Sequence, residues 1–147
     1  MSEHRIRLRG GWEARAIDPM LGAVDRLTLP IRWDVDRPRR LRLTRRFQRP
    51  PLEDPSHLGS RQAGPPELWL LLEHVPGLLA LELNGESPVC VWPEQTRYEI
   101  PLGRLPQRNQ LVLEIETPRS NDRAGSAAPE WGSIALVIRS AGPLAAG

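Results

Sequence analysis

The sequence predicts an all-β protein, an antiparallel β-sandwich of about eight or nine strands. Three observations predict it: short runs of alternating apolar and polar residues, tight-turn signals between them, and almost no helical periodicity. The 147 residues include 16 prolines and 12 glycines, which leave few windows for a long helix. Because 39% of the residues are hydrophobic, the chain is able to bury a core. We expect one domain over residues 1–140 and a flexible C-terminal tail over 141–147.

The first half of the chain contains strands with one wet face. Apolar residues alternate there with arginines and threonine, which is typical of half-buried strands. The apolar positions are Ile6, Leu8, Leu41, Leu43 and Phe47. Gly10-Gly11 interrupts the first run, and Trp12 resumes the pairing. Residues 49–66 contain five prolines, so we expect a long loop there, of the kind that is often functional or mobile.

The second half contains the predicted centre of the sandwich. Residues 67–75 are apolar on both faces, which predicts a central strand. Asn84-Gly85 then predicts a type I′ turn, since that turn requires positive φ at both central residues. A strand-like segment ends in Trp92-Pro93, and residues 117–130 form a second polar loop. The inward positions of the remaining strands are Leu79, Leu81, Leu83, Leu111, Leu113, Ile115, Ile134, Leu136 and Ile138.

The chain has 20 arginines and no lysine. Residues 1–50 carry a net charge of +7 and residues 51–147 a net charge of −5. Coding bias explains an all-arginine composition, and selection for a phosphate- or carboxylate-binding surface is the alternative. If the two arginine-rich strands paired, they would form a basic patch for polyanions. The arginines concerned are Arg5, Arg7, Arg9, Arg40, Arg42 and Arg46. The other interpretation is a solvated face paired with acids, since no base-stacking aromatic residue is interleaved.

The sequence lacks the signals that mark several classes of protein. Cys90 is the single cysteine, so an intramolecular disulfide is excluded, and we expect it to be buried between Val89 and Val91. We expect a soluble, cytoplasmic protein, because the sequence has no secretory signal and no run of about 18 apolar residues. Nucleic acids and membranes are not expected partners.

No cofactor or metal is predicted. The three histidines, His4, His57 and His74, lie too far apart for zinc spacing, and no glycine-rich phosphate cradle is present. Asp34, Asp36 and Asp54 would bind calcium only if the fold brought them together, so bound calcium stays an open question.

Taken in order, these landmarks resemble the N-terminal sugar-binding domain of glycoside hydrolase family two, the β-galactosidase and β-glucuronidase group. The matching pieces are Gly11-Trp12, Leu29-Pro30 with Trp33, Arg46-Phe47, Leu72 to Val75, Leu83-Asn84-Gly85, Tyr98-Glu99-Ile100 with Leu105, Asn109-Gln110-Leu111, and Trp131-Gly132-Ser133-Ile134. They cover about residues 10–139. The resemblance implies a jelly-roll, galactose-binding-domain-like sandwich. Enzymes of this family carry their catalytic glutamates in a separate barrel domain, which this sequence lacks, so we expect no enzymatic activity from it.

Sugar-binding sites combine flat aromatic faces with planar polar side chains. Trp92 stands at a strand end beside a proline, and Trp131 follows a polar loop, so both are candidate ligand contacts, together with Tyr98. In the family, a loop before the last strand lends a polar or acidic residue to the sugar site, which implies Asn121 and Asp122 here. Three functions stay open: carbohydrate binding, a structural or protein-interaction module that pairs with another protein or itself, and polyanion binding.

Overall fold

A computed structural model describes residues 2–17, 24–32, 40–51, 66–117 and 130–140. These residues form nine β-strands and no helix. The strands are β1 (Ser2–Arg7), β2 (Trp12–Ala16), β3 (Val24–Leu27), β4 (Arg40–Gln48), β5 (Glu67–Glu73), β6 (Leu78–Leu83), β7 (Arg97–Pro101), β8 (Arg108–Glu116) and β9 (Ser133–Ser140). They build two antiparallel sheets, one in the order β1-β9-β5-β7 and one in the order β3-β2-β4-β8-β6. The predicted antiparallel β-sandwich is confirmed.

The core lies between the inward faces of the two sheets, as the alternation of the sequence predicts. In the five-stranded sheet, Leu43 of β4 stands opposite Leu113 of β8, and both side chains are fully buried. In the four-stranded sheet, β5 lies between β9 and β7 and contributes Leu70 and Leu72 to the same core. The apolar residues of 67–75 therefore belong to a central strand, as predicted.

The Asn84-Gly85 turn has positive φ at both residues, 54° and 83°, as the type I′ prediction requires. The prediction of a strand directly after this turn is wrong. The chain that follows Gly85 forms only an isolated bridge, between Leu83 and Glu86. Strand β6 pairs instead with β8. A side-chain network ties the turn to β8: the Asn84 amide donates to Asn109 Oδ1 at 2.9 Å, and Asn84 Oδ1 accepts from the Gln110 N–H at 2.9 Å.

The outer face of the four-stranded sheet carries six charged side chains of alternating sign, which we term the outer ring. In order around the ring they are Glu3, Arg5, Glu73, Arg97, Glu99 and Arg139. The N–O distances run from 2.6 Å for Arg97–Glu99 to 3.7 Å for Arg5–Glu73. Leu71 and Val137 lie buried on this face, and the Arg139 guanidinium stands 4.8 Å from the ring centre of Trp69. The aliphatic parts of the long side chains help to cover these apolar residues.

The outer ring shifts the titration of its own members. The hydrogen bond and charge of Arg5 hold the pKa of the Glu3 carboxyl below its ordinary value, and Arg139 acts in the same direction. The hydrogen bond from Arg97 likewise lowers the pKa of Glu99. In return, Glu3 raises the pKa of Arg5. Opposite charges favour each other's ionised forms.

The two arginine-rich strands do not pair, so they form no joint basic patch. Strand β1 belongs to the four-stranded sheet and β4 to the five-stranded sheet. Arg5 is part of the outer ring, and Arg42 bonds Glu114 on the adjacent β8 at 2.8 Å. In both strands an arginine is thus paired with an acid. None of the described residues forms a helix with the length and hydropathy needed to cross a bilayer.

Candidate ligand-binding site

The segment after the Asn84-Gly85 turn alternates between buried and exposed positions although it is not a strand. Val89 and Val91 pack against the core, while Cys90 and Trp92 face solvent. The prediction of a buried Cys90 is therefore wrong: its two neighbours take the inward positions. Trp92 is 61% exposed and is the only large hydrophobic side chain exposed among the described residues. An exposed aromatic residue of this size is a candidate ligand contact.

Hydrogen bonds fix the backbone that carries Trp92. The Tyr98 hydroxyl donates to the Trp92 carbonyl at 2.9 Å and accepts from the Trp92 N–H at 2.9 Å. The next carbonyl, that of Pro93, accepts from the Gly77 N–H at 2.9 Å. Tyr98 belongs to β7 and is only 3% exposed, so its ring lies beneath the loop. Trp92 is thus an exposed side chain on a backbone fixed by hydrogen bonds.

Gly77 lies between the Trp92 segment and the end of β8. Besides donating to Pro93, it accepts at its carbonyl from the Glu116 N–H at 2.8 Å. Its φ is +81°, and a Cβ built there would stand 2.3 Å from the Glu116 carbonyl oxygen. Only glycine fits this approach, since real Cβ atoms do not come so close to backbone oxygen. The Pro76-Gly77 dipeptide signals a turn in the sequence, but the close approach to Glu116 is a long-range contact that no local pattern displays.

Trp131 lies on the other side of the same turn. Its indole N–H donates to the Pro76 carbonyl at 2.8 Å, and its side chain is 1% exposed. Its backbone forms a two-way bridge with Ile31, at 2.7 and 2.9 Å. The next residue, Gly132, donates its N–H to the His74 carbonyl at 2.8 Å. Trp131 thus anchors the start of the last strand and presents no face to solvent.

Asn121 and Asp122 lie outside the described residues. The described residues that come before and after them in the chain contact one turn: Glu116 bonds Gly77, and Trp131 bonds Pro76. The structure therefore brings Trp92 and Tyr98 together and holds Trp131 at the adjacent turn.

The described residues offer no metal centre, since no three His, Cys, Asp or Glu side chains within them lie close enough to hold an ion. The acids considered for calcium, Asp34, Asp36 and Asp54, lie outside the described residues. The exposed chemistry at this site is the aromatic face of Trp92. Such a face suits binding by stacking.

No family model and no curated protein matches this chain. Among solved structures, it is similar to an FMN-binding β-glucuronidase from Facaelibacterium prausnitzii L2-6, with a TM-score of 0.63 and 16% identity. It is also similar to a β-galacturonidase of glycoside hydrolase family two from Eisenbergiella tayi, with a TM-score of 0.61 and 13% identity. A β-D-glucuronidase from Dictyoglomus thermophilum aligns with a TM-score of 0.60 and 10% identity.

The chain has the fold of one domain of these enzymes. The alignments cover 92%, 93% and 94% of this chain but only 22%, 24% and 28% of the three enzymes. The predicted resemblance to a single domain of family-two glycoside hydrolases, with its jelly-roll sandwich, is confirmed. This chain spans about a quarter of the length of those structures.

Proposed function

We propose that this chain is a non-catalytic carbohydrate-binding module that contacts its ligand through Trp92. The observation behind the proposal is the exposed indole of Trp92 on a backbone fixed by Tyr98 and Gly77. The C–H face of a sugar ring stacks on such an indole, and the fixed backbone lowers the entropy lost on binding.

The other predicted site residues take different parts in this proposal. Tyr98 and Trp131 are buried, so they position the loops rather than contact the sugar. Asn121 and Asp122 would supply the planar polar groups that bond sugar hydroxyls. The turn at Pro76-Gly77 supports this arrangement, because it contacts the chain on both sides of that segment and also contacts the Trp92 loop.

The proposal assigns no hydrolysis to this chain. The domain-sized overlap with far longer enzymes supports that view, since the resemblance implies that the catalytic glutamates belong to a separate barrel. Two of the similar structures are a glucuronidase and a galacturonidase, and the second is bound to galacturonate. Uronic acids therefore belong in any ligand screen beside neutral sugars.

Calorimetric titration of neutral and acidic saccharides, at low and at moderate salt, tests the proposal. We expect a ligand whose affinity falls about tenfold or more in Trp92→Ala, a loss of about 1.4 kcal/mol. The stability of this variant should stay close to that of the wild type, because the indole is mostly exposed.

Trp69→Phe is the matched control, because it changes a half-buried tryptophan on the outer ring face. It should leave saccharide affinity unchanged. Equal affinities of the wild type and Trp92→Ala for every binding saccharide, or no binding across the panel, would refute the site.

A second candidate function is protein interaction, with a separately encoded enzyme or with a second copy of this chain. The same exposed tryptophan favours it, since tryptophan is enriched at the centres of protein interfaces. The similar structures also favour it, because this fold makes up only about a quarter of those longer chains and there adjoins the rest of the enzyme. Light scattering distinguishes a dimer from a monomer. A wild-type dimer that dissociates in Trp92→Ala would support self-association, and a wild-type protein that is monomeric at all concentrations would exclude it.

A further inference from the structure

Strand β4 carries a charged residue at an inward position, where a β-sandwich normally has an apolar residue. Its inward positions are Leu41, Leu43, Arg45 and Phe47, and three of the four belong to the buried core. The neighbours of Arg45 across the sheet are Trp12 on β2 and Leu111 on β8, both fully buried. The Arg45 side chain therefore extends along apolar surface between the sheets and reaches only partial exposure.

The guanidinium of Arg45 is incompletely bonded. Its Nε is out of contact with solvent and has no hydrogen-bond partner. Its Nη1 donates to the carbonyl of the next residue, Arg46, and no acid of the described residues forms an ion pair with it. Buried polar groups without a partner are rare in folded proteins, and a buried charge without one is rarer still. An unpartnered buried donor calls for an explanation, and a ligand that binds from outside would supply one.

One side of the guanidinium is bordered by backbone without side chains. A Cβ built on Gly11 would stand 3.1 Å from Nε and 3.2 Å from Cζ of Arg45, and Gly11 has a φ of +76°. A Cβ built on Gly10 would meet no atom within 4 Å. The absence of a side chain at Gly11 therefore gives the Arg45 guanidinium its space, and a larger residue at position 11 would crowd it.

We propose that Arg45 binds an oxyanion, a carboxylate or a phosphate group, at the edge of the sandwich beside Gly10-Gly11. The planar fork of a guanidinium matches such a group through two parallel N–H bonds. Nε is one of the two donors in that geometry, and because solvent does not reach it here, binding through Nε requires the Arg45 side chain to turn toward solvent. Low exposure strengthens the attraction, because the pair is poorly screened by water. The site is independent of Trp92 and stands whether or not that residue binds a sugar.

Thermal unfolding in phosphate, in glucuronate and in chloride of equal ionic strength tests this site. We expect phosphate or glucuronate to raise Tm above the chloride value, with the effective anion identifying the class. At about 100 times its dissociation constant, an anion should raise the folding equilibrium constant about 100-fold. Arg45→Leu should lose this response, and Arg46→Leu, which removes the same charge from the exposed face, should keep it.

The proposal is overturned if neither anion raises Tm relative to chloride, or if Arg45→Leu responds as strongly as Arg46→Leu. The second outcome would mean that a general stabilising effect of the anion, which needs no binding site, explains the response. A second readout uses the wild-type protein and so does not depend on the folding of a variant. The NMR resonance of the Arg45 Nε–Hε group should shift on titration with the effective anion. If that resonance stays still while others move, the anion binds elsewhere and the assignment fails.

Discussion

Gly77→Ala isolates the close approach that holds the Trp92 segment, because Gly85 offers a matched control. Both glycines have nearly the same φ, 81° and 83°, but a Cβ at Gly77 would stand 2.3 Å from the Glu116 carbonyl oxygen and one at Gly85 would meet nothing within 4 Å. A left-handed backbone costs alanine about 1–2 kcal/mol. The stiffer unfolded chain returns about 0.4–1 kcal/mol. We therefore expect Gly85→Ala to lower the free energy of unfolding by about 1 kcal/mol.

Gly77→Ala adds a backbone clash to that cost. Relief of the clash must move the turn away from β8, which strains the bonds from Glu116 to Gly77 and from Gly77 to Pro93. Each such bond contributes about 0.5–1.5 kcal/mol. The total loss should reach about 3 kcal/mol, or a fall in Tm of roughly 6–12 °C at this chain length.

Urea denaturation of both variants beside the wild type measures the difference. Saccharide affinity should also fall in Gly77→Ala, since the turn holds the backbone that carries Trp92. If the two variants differ by less than about 0.5 kcal/mol, the approach to Glu116 is not a close one and the reasoning fails.

Three further changes test other parts of the structure. Tyr98→Phe removes both hydrogen bonds to the Trp92 backbone and should cost about 1–3 kcal/mol in urea denaturation, with weaker saccharide binding. Asn109→Ala leaves the Asn84 amide and the Pro106 carbonyl without a buried partner and should cost about 1–3 kcal/mol by the same assay, whereas an equal stability would refute the network. The lowered pKa of Glu99 predicts stability that is present above about pH 4.3 and lost as pH falls through the lowered value, so Glu99→Gln should flatten the fall in urea midpoint between about pH 5 and 3.

Much of the fold follows from local patterns in the sequence. Alternation at Leu41, Leu43 and Phe47 places β4 with one face inward, and the positive-φ requirement places the turn at Asn84-Gly85. These features depend on neighbours a few residues apart, which a sequence displays directly. The choice of pairing partner is less local: β6 pairs with β8 because inward leucines of both strands meet there, and no pattern near the turn specifies that.

The candidate site was less predictable, because burial of single residues depends on distant contacts. In the sequence Trp92 stands beside a proline and Trp131 follows a polar loop, and both positions suggest exposure. The polar atoms of Trp131 and Tyr98 instead bond backbone groups of other segments, and their rings lie buried. Cys90 has apolar neighbours, and those neighbours take the inward positions. Arg45 breaks the inward pattern of β4, and the interruption between Leu43 and Phe47 is the sequence signal that marks it.

The outer ring also limits how this domain joins larger assemblies. Three acids and three arginines already satisfy one another across all four strands of the sheet. A protein that packed flat on this face would have to remove six ionised groups from water, and the resulting desolvation cost exceeds what the existing ion pairs return. We therefore expect neighbouring domains or subunits to attach at the loops or through the other sheet, and this face to stay hydrated in every assembly.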